Sequence, residues 1–307
     1  MGFGDYRPPR VMTNTELSRT VDTSDQWIQS RTGIEQRHVA GSDDTVVSMA
    51  VEAGGKALAA SGLGPRDLDA VILATCTIPR AIPGGAATVA AQLGCGSPAA
   101  FDLNAACSGF CTGLEVAAGL LGRGAARHVL VVGSERFTAE WLDWADPGVC
   151  VLFGDGAGAA VVGPSDTPDI GPVVWGSDGT GAGFIAVPEG DWALRMDGRN
   201  VYRWATTHVA PLALQVCEAA GVDPTELAAI VPHQANLRIV DAIAKQVAAP
   251  DAVVASDVVN AGNTSAASVP LAVTRLLAEQ RVRRGDLVLL LSFGAGLSWA
   301  GQIIRLS

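Results

Sequence analysis

Short apolar runs alternate along the chain with longer stretches rich in alanine. Four of the runs, at 69–74, 127–132, 229–231 and 286–291, consist mainly of leucine and β-branched residues. Runs of this kind are typical of strands that are buried on both faces of a sheet, and helical stretches between them indicate parallel connections. The pattern therefore predicts an α/β fold with mainly parallel strands.

The sequence also contains an approximate internal repeat. The segment 62–72 matches 221–231, an offset of 221 − 62 = 159 residues, and two further matches follow in the same order at nearly the same spacing. Chance could supply one such match in a chain rich in alanine and glycine, but three in order indicate a duplication. We therefore predict an N-terminal half at 1–165 and a C-terminal half at 166–307.

The second of these matches concerns two polar residues. It aligns Cys107 with Asn263, an offset of 263 − 107 = 156, and each residue is followed by a stretch of small and apolar residues with almost no charge. A helix that is apolar all round is buried on every side. We therefore expect two buried central helices that begin at these residues and bring Cys107 and Asn263 to a shared centre.

Composition and charge exclude several classes of protein. With 307 residues, 49% of them hydrophobic, the chain can bury a large core, and its formal net charge of −10 argues against a nucleic-acid partner. No run approaches the roughly 20 apolar residues of a membrane helix, and no signal pattern opens the chain. Six cysteines without metal-ligand spacing indicate a reduced, cytoplasmic protein with no bound metal.

Cys107 is the candidate nucleophile because it lies between a predicted strand at 99–103 and a helix. The partial positive charge of a helix N-terminus lowers a thiol pKa, and its free N–H groups can hold an oxyanion. Buried cysteines are more often packing residues. We assign that role to the other five: Cys76, Cys95, Cys111, Cys150 and Cys217.

His233 and Asn263 are the candidate partners of this cysteine. His233 lies just past a predicted buried strand, where open α/β sheets collect catalytic groups. Asn263 alone could be a helix cap, but its relation to Cys107 favours a functional role. Cys, His and Asn also occur together in cysteine proteases, where Asn orients His. The duplicated α/β plan counts against a protease.

Seven segments together resemble the β-ketoacyl-acyl-carrier-protein synthase III family of the thiolase superfamily. They occur in order over essentially the whole chain, at 21–28, 31–34, 106–110, 153–159, 232–239, 262–268 and 293–296. The resemblance implies a thiolase-like, five-layered αβαβα fold with two duplicated halves, and a homodimer. It also implies no bound cofactor, since the substrates are an acyl-CoA or acyl-carrier-protein thioester and a malonyl thioester.

The resemblance assigns roles to the candidate residues. Cys107 takes an acyl group as a thioester, and His233 and Asn263 hold the malonyl thioester carbonyl while carbon dioxide leaves. The carbanion then attacks the acyl group, which selects the starter unit of fatty-acid or polyketide biosynthesis. A second oxyanion hole comes from the backbone near Ala295, and Phe293 lies beside the malonyl carboxylate. Phe153 and Asn236 belong to the substrate-binding motifs.

The resemblance also implies binding surfaces for the carrier of the acyl group. Trp27 matches a residue that stacks on the adenine of CoA, and Arg31 one beside its phosphates. Three basic residues match positions that face the acyl carrier protein: Arg203, Arg238 and Lys245. Arg238 and Lys245 are seven residues apart and so share one helix face.

Three features depart from the family pattern. Pro147 stands where an arginine commonly pairs with the tryptophan across the adenine, which predicts weaker CoA binding and an acyl group delivered by a carrier protein. Ile82 replaces a phenylalanine that crosses the dimer interface and floors the acyl pocket, so we expect a longer or branched acyl group. Residues 1–8 resemble a motif that normally follows a first strand.

These departures favour a specialised pathway, such as polyketide starter selection. Two other functions stay open: an acyltransferase of the same fold that passes the acyl group from Cys107 to an oxygen or nitrogen nucleophile, and a scaffold subunit without activity. Retention of Asn263 favours decarboxylative condensation, and the survival of all three catalytic positions disfavours the scaffold.

Overall fold

The computed structural model describes all 307 residues, Met1–Ser307. The strands are β1 (Gly2–Tyr6), β2 (Val11–Thr13), β3 (Gln36–His38), β4 (Ala70–Ala74), β5 (Ala99–Leu103), β6 (Val129–Glu135), β7 (Gly156–Val162), β8 (Val174–Ser177), β9 (Ile185–Ala186), β10 (Arg195–Met196), β11 (Leu227–Pro232), β12 (Val253–Val254), β13 (Leu287–Gly294) and β14 (Ser298–Arg305). The α-helices are α1 (Asn14–Leu17), α2 (Asp25–Thr32), α3 (Val46–Ser61), α4 (Ala86–Leu93), α5 (Gly109–Gly122), α6 (Phe137–Glu140), α7 (Gly198–Trp204), α8 (Ala210–Ala220), α9 (Leu237–Val247), α10 (Val258–Ala261) and α11 (Ser268–Ala278). None of these helices is long and apolar enough to span a membrane.

Two five-stranded sheets share one topology. The first has the strand order β1-β7-β6-β4-β5 and the second the order β8-β14-β13-β11-β12. In each sheet the three consecutive strands at one end are parallel and the other two are antiparallel to their neighbours. The four predicted apolar strands are β4, β6, β11 and β13, the central strands of the two sheets. The predicted division at 165/166 falls between β7 and β8, that is, between the sheets.

The alignment of Cys107 with Asn263 is wrong by three residues. The pairing of β4 with β6 corresponds to the pairing of β11 with β13 when one offset of 159 residues is applied to both strands (229 − 70 and 288 − 129). At that offset Cys107 corresponds to Ala266, and Asn263 to Asn104. Three residues are almost one helical turn, and both segments are rich in small residues, so sequence similarity alone could not determine the register.

The layers follow the predicted αβαβα order. Helices α3 and α4 cover the outer face of the first sheet, and α8 and α9 cover the outer face of the second. Helices α5 and α11 lie between the sheets, where 24 buried apolar residues from both halves form the central core. Helix α11 is buried along most of its length, as predicted, whereas α5 is buried on one face and half-exposed on the other.

The N-terminal residues form a strand of their own. Gly2–Tyr6 make up β1, which pairs antiparallel with β7 at the edge of the first sheet. The motif at the start of the chain therefore includes this first strand instead of following it.

Candidate active site

Cys107 lies in a tight turn between β5 and α5. The turn Ala106–Ser108 is a single 3₁₀ turn, and α5 begins immediately after it at Gly109. Ala106 has a φ of 46°, in the left-handed region that residues other than glycine rarely adopt. Such strained positions persist where the surrounding structure holds them, often at functional sites. Cys107 is thus presented just in front of a helix N-terminus, as the sequence predicted.

The surroundings of Cys107 do not lower its pKa. Backbone N–H groups of Cys107 and Ala295 face its sulfur, but burial outweighs them and raises the pKa of Cys107 to about 12. Burial therefore opposes the expected effect of the helix N-terminus, because a thiolate held between the two halves loses hydration. Gly294 makes this close packing possible, since a Cβ there would lie 2.6 Å from the Cβ of Cys107.

His233 is a neutral, oriented imidazole. It follows β11 directly and is buried, and burial lowers the pKa of His233 to about 3. Its Nδ1 lies 2.7 Å from Oγ of Ser268, the first residue of α11. That Oγ also accepts a hydrogen bond from the backbone N–H of Gln234 (3.4 Å). In the tautomer in which the Ser268 hydroxyl group donates to Nδ1, Nε2 of His233 carries the ring proton and is a hydrogen-bond donor.

Asn263 has an equally defined orientation. Its Oδ1 accepts a hydrogen bond from the backbone N–H of Ser265 (2.9 Å), which leaves its Nδ2 as the free donor. Ser265 has a φ of 48°, so this turn repeats the strained conformation of Ala106. In the first half, Oδ1 of Asn104 likewise accepts from the backbone N–H of Ala106 (3.1 Å). The two turns are structural counterparts.

Two cavities meet at Cys107. The larger, of about 530 Å³, brings together most of the predicted site residues: Trp27, Arg31, Cys107, Phe153, His233, Asn236, Arg238, Asn263 and Phe293. The smaller, of about 210 Å³, reaches Cys107 and Ala295 and, apart from Asn104, is lined by apolar residues and Cys76; the apolar side chains include Phe137, Trp141 and Leu194. A thiol at such a junction can receive a group from one cavity and hold it in the other.

Phe293 forms an apolar wall beside the two donors. Its ring stands edge-on to His233, with ring centroids 5.3 Å apart. It is buried, and it lines the larger cavity together with His233 and Asn263. Loss of hydration beside this ring costs a charged group much more free energy than it costs a neutral one.

The outer part of the larger cavity carries cations. The Arg31 guanidinium lies 5.9 Å from the ring centroid of Trp27, and that of Arg238 lies 4.9 Å from the ring centroid of Tyr202. Arg199, which the sequence analysis did not identify, also lines this cavity. Nothing in its sequence context marks it, because its position depends on how α7 packs against the rest of the site.

Three predicted residues lie outside both cavities. Ile82 is 89% exposed in the single chain and therefore does not form the floor of either cavity within it. Arg203 lies on α7, where it donates a hydrogen bond to Asn200 (2.8 Å). Lys245 lies on α9 with Arg238, and all three basic side chains are exposed.

Glu135 is a buried carboxylate that the sequence analysis missed. It ends β6, and its oxygens accept hydrogen bonds from the hydroxyl groups of Thr77 (2.6 Å), Thr75 (3.0 Å) and Ser265 (2.9 Å). The Cys76 thiol donates to the same carboxylate (3.4 Å) and lines the smaller cavity with Cys107, so Cys76 is not the remote core residue we expected. An acidic residue at the end of an apolar strand was the signal available.

The site offers a thiol and neutral hydrogen-bond donors, and no metal. No group of three or more His, Cys, Asp or Glu side chains is placed to hold a metal ion. The backbone N–H groups at Cys107 and Ala295 face one position for a developing oxyanion, and Nε2 of His233 and Nδ2 of Asn263 are available for a second. Two such positions suit an acyl transfer followed by attack of an enolate.

Comparison with known proteins gives consistent matches over the whole chain. The family described as 3-oxoacyl-[acyl-carrier-protein (ACP)] synthase III matches residues 101–179, and its C-terminal counterpart matches 217–306. The chain is 48% identical over 305 residues to β-ketoacyl-[acyl-carrier-protein] synthase III 4 of Streptomyces coelicolor, covering 98% of this chain and 96% of that protein.

Solved structures agree with this result. The priming β-ketosynthase of the R1128 polyketide biosynthetic pathway superposes with a TM-score of 0.95 at 45% identity, covering 99% of this chain and 95% of the other. The 3-oxoacyl-[acyl-carrier-protein] synthase III of Aquifex aeolicus also gives a TM-score of 0.95, at 40% identity, covering 99% and 98%.

Proposed function

The chain belongs to the 3-oxoacyl-[acyl-carrier-protein] synthase III family, and from that membership we propose how its residues carry out the reaction. It is a condensing enzyme of the thiolase superfamily that selects a starter unit. The observation that carries the residue assignment is the position of Cys107, at the junction of two cavities and beside two sets of donors.

In the first half-reaction, Cys107 attacks the carbonyl of an acyl thioester. The tetrahedral oxyanion is held by the backbone N–H groups of Cys107 and Ala295, which face the sulfur. The C–S bond to the donor thiol then breaks, and the acyl chain stays on Cys107. The smaller cavity receives this chain, because its lining is apolar and it opens at the sulfur.

In the second half-reaction, a malonyl thioester enters through the larger cavity. Nε2–H of His233 and Nδ2–H of Asn263 donate to its thioester carbonyl and stabilise the enolate that forms as carbon dioxide leaves. The neutral state of His233 suits a donor that need not lose its proton, and the Phe293 ring disfavours the charged carboxylate. The enolate carbon then attacks the carbonyl of the acyl-Cys107 thioester, the C–S bond to Cys107 breaks, and the β-ketoacyl thioester leaves while the sulfur takes up a proton from solvent. None of these steps uses a bound cofactor.

The acyl donor we propose is an acyl carrier protein, or a loosely held CoA. Pro147 lines neither cavity, so no side chain from that position covers the face of Trp27 opposite Arg31. Arg203, Arg238 and Lys245 are exposed, and Arg238 also lines the larger cavity. They provide positive charge on an acidic chain, as docking of an acidic carrier protein requires.

The quaternary state and the compartment complete the proposal. An isoleucine that is 89% exposed is unfavourable in water, and burial of Ile82 against a second copy would complete the apolar cavity of a homodimer. All six cysteines are free thiols, which suits the reducing cytoplasm.

An acyltransferase that uses an oxygen or nitrogen nucleophile is the second candidate function for the acylated enzyme. Asn263 distinguishes the two, because a donor pair aimed at a thioester carbonyl serves enolate formation and has no part in direct transfer to a hydroxyl or amine.

Intact-protein mass spectrometry tests the assignment. The protein is incubated with matched acyl-CoA and acyl-carrier-protein thioesters, and the added mass is located by peptide mapping. We expect it on Cys107, with faster loading from the carrier protein and malonyl-dependent release of carbon dioxide afterwards. Cys107→Ala should load nothing, whereas the matched control Cys95→Ala should load normally. Loading without release of carbon dioxide would favour the oxygen or nitrogen acyltransferase, and strong preference for CoA would overturn the donor assignment.

A further inference from the structure

Two segments outside the main sheets form one wall of the smaller cavity. The first, which we call the cavity hairpin, is residues 185–196: β9, β10 and the turn between them, paired only with each other. The second is the loop at 141–148, which contributes Trp141 to the cavity. The hairpin contributes four residues: Ile185, Ala186, Val187 and Leu194. Because a two-stranded hairpin is marginally stable by itself, its position depends on contacts with its neighbours.

Arg195, the first residue of β10, joins the hairpin to the loop. Its Nε–H donates a hydrogen bond to Oδ2 of Asp191 in the hairpin (3.0 Å), and its Nη1–H donates to Oδ2 of Asp143 in the loop (3.1 Å). The same Nη1 lies 3.5 Å from Oδ2 of Asp146, also in the loop. Since the guanidinium is planar and rigid, it fixes the two segments relative to each other.

Each of the three carboxylates also holds the backbone of its own segment. Its Oδ1 accepts a hydrogen bond from a backbone N–H one or two residues later: that of Ala145 for Asp143 (3.0 Å), Gly148 for Asp146 (2.9 Å) and Trp192 for Asp191 (2.7 Å). The Oδ2 atoms that face Arg195 therefore have directions set by the two backbones. A contact with the guanidinium is in this way a contact between the backbones themselves.

The residues next to Arg195 line the cavity. The backbone N–H of Leu194 donates to the carbonyl oxygen of Trp141 (2.9 Å), and both residues line the cavity. Arg195 itself pairs with Ala186 of β9, which lines the cavity as well. A displacement of Arg195 from the loop would therefore move both strands of the hairpin and widen the cavity.

The charges around Arg195 do not balance. Three carboxylates meet one guanidinium, and no other cation pairs with them. Without the guanidinium, the negative charges of Asp143 and Asp146 in the loop would repel that of Asp191 in the hairpin. The Arg195 side chain is 41% exposed, so both the attraction and the repulsion are modest and are screened by salt.

We propose that Arg195 is a positioning residue that limits the size of the acyl group on Cys107, because it holds the cavity hairpin against the loop at 141–148. This inference rests on the proposed function, in which the smaller cavity receives the acyl chain. With the Arg195 contact intact, the wall formed by Trp141 and Leu194 excludes the bulkier groups. Loss of the contact admits them.

Competitive loading measures this selection directly. The full-length protein is incubated with equal amounts of a branched and a straight-chain acyl thioester on the same carrier, and intact-protein mass spectrometry gives the ratio of the two acyl-enzymes. We expect Arg195→Gln to raise the proportion of the branched group about fivefold, and Arg195→Lys to give an intermediate ratio. A change in carrier docking cancels from the ratio, and general damage to the protein slows both loadings alike.

The matched control is Arg10→Gln. Arg10 also forms an exposed ion pair, with Glu16 (3.0 Å), but lines neither cavity, so its loss should leave the ratio unchanged. Adding Asp191→Asn to Arg195→Gln removes the repulsion and should return the ratio toward that of the wild type.

Salt supplies a second measurement. Screening weakens an attraction in the wild type and a repulsion in Arg195→Gln, so added salt should raise the ratio in the first and lower it in the second. An unchanged ratio in Arg195→Gln, or the same direction of salt effect in both proteins, would overturn the inference while acylation of Cys107 stands. If no protein acquires an acyl group on Cys107, the proposed function fails and the inference with it.

Discussion

Replacement of Ser268 by alanine should slow decarboxylation selectively. The Ser268 hydroxyl group lies 2.7 Å from Nδ1 of His233, and both residues are buried. Without it, Nδ1 has no hydrogen-bond donor, and the imidazole can carry its proton on Nδ1 and present an acceptor to the substrate. Losing one partner of a buried hydrogen bond costs about 1–3 kcal/mol. If that cost falls on the transition state, the rate drops by about 5- to 150-fold.

The assay separates the two half-reactions. Release of carbon dioxide from a malonyl thioester reports on His233, and the mass added to Cys107 reports on acylation. We expect Ser268→Ala to lower only the first. The control is Ser292→Ala, which removes another buried hydroxyl group that donates to Cys111 (2.9 Å) and should leave release of carbon dioxide unchanged. Equal losses in both half-reactions of Ser268→Ala, or no loss in decarboxylation, would refute the orienting role.

Three further predictions concern stability, pocket and docking. Because folded His233 has a pKa of about 3, the unfolded chain binds an extra proton below about pH 6.5, so stability falls on acidification. Between pH 7 and pH 5 this group should lower the free energy of unfolding by about 2 kcal/mol. Calorimetric unfolding should therefore show a smaller loss of stability in His233→Gln than in the wild type. Ile82→Phe should shift loading toward shorter acyl chains, and an unchanged preference would contradict its place in the partner's pocket. Arg238→Glu should raise KM for carrier-protein donors while leaving loading from short acyl-pantetheine thioesters unaltered; equal effects on both would argue against docking.

The sequence was sufficient for the framework of this fold. The central strands β4, β6, β11 and β13 are continuous apolar runs because they are covered on both faces, and that property is visible without a structure. The division predicted from the approximate repeat lies between β7 and β8, which belong to different sheets. Cys107, His233 and Asn263, which were identified from sequence motifs, line one cavity in the structure.

Contacts between the two halves could not be predicted. The pKa of Cys107 depends in part on burial against residues such as Gly294, far along the chain, and this burial opposes the effect of the helix N-terminus. The hydrogen bond between Glu135 and Ser265 likewise joins the halves and has no local signal. Ile82 is exposed in the single chain, so its predicted place in the acyl pocket stays a prediction.

The corrected register explains why only one set of catalytic groups exists in a duplicated fold. Both halves keep the same turn. In each, an asparagine side chain accepts a hydrogen bond from the backbone N–H of the residue two positions later, and that residue has a left-handed backbone conformation. At the offset of 159, Cys107, His233 and the buried Glu135 have small residues as counterparts: Ala266, Ala74 and Gly294. Asn263 is the exception, since its counterpart is Asn104. The turns meet at one centre, where a Cβ on Gly294 would already lie 2.6 Å from that of Cys107, so there is space for one functional group of each pair. The shared turn gives Asn263 its orientation, and the unequal side chains around it allow a nucleophile from one half to face the donors from the other.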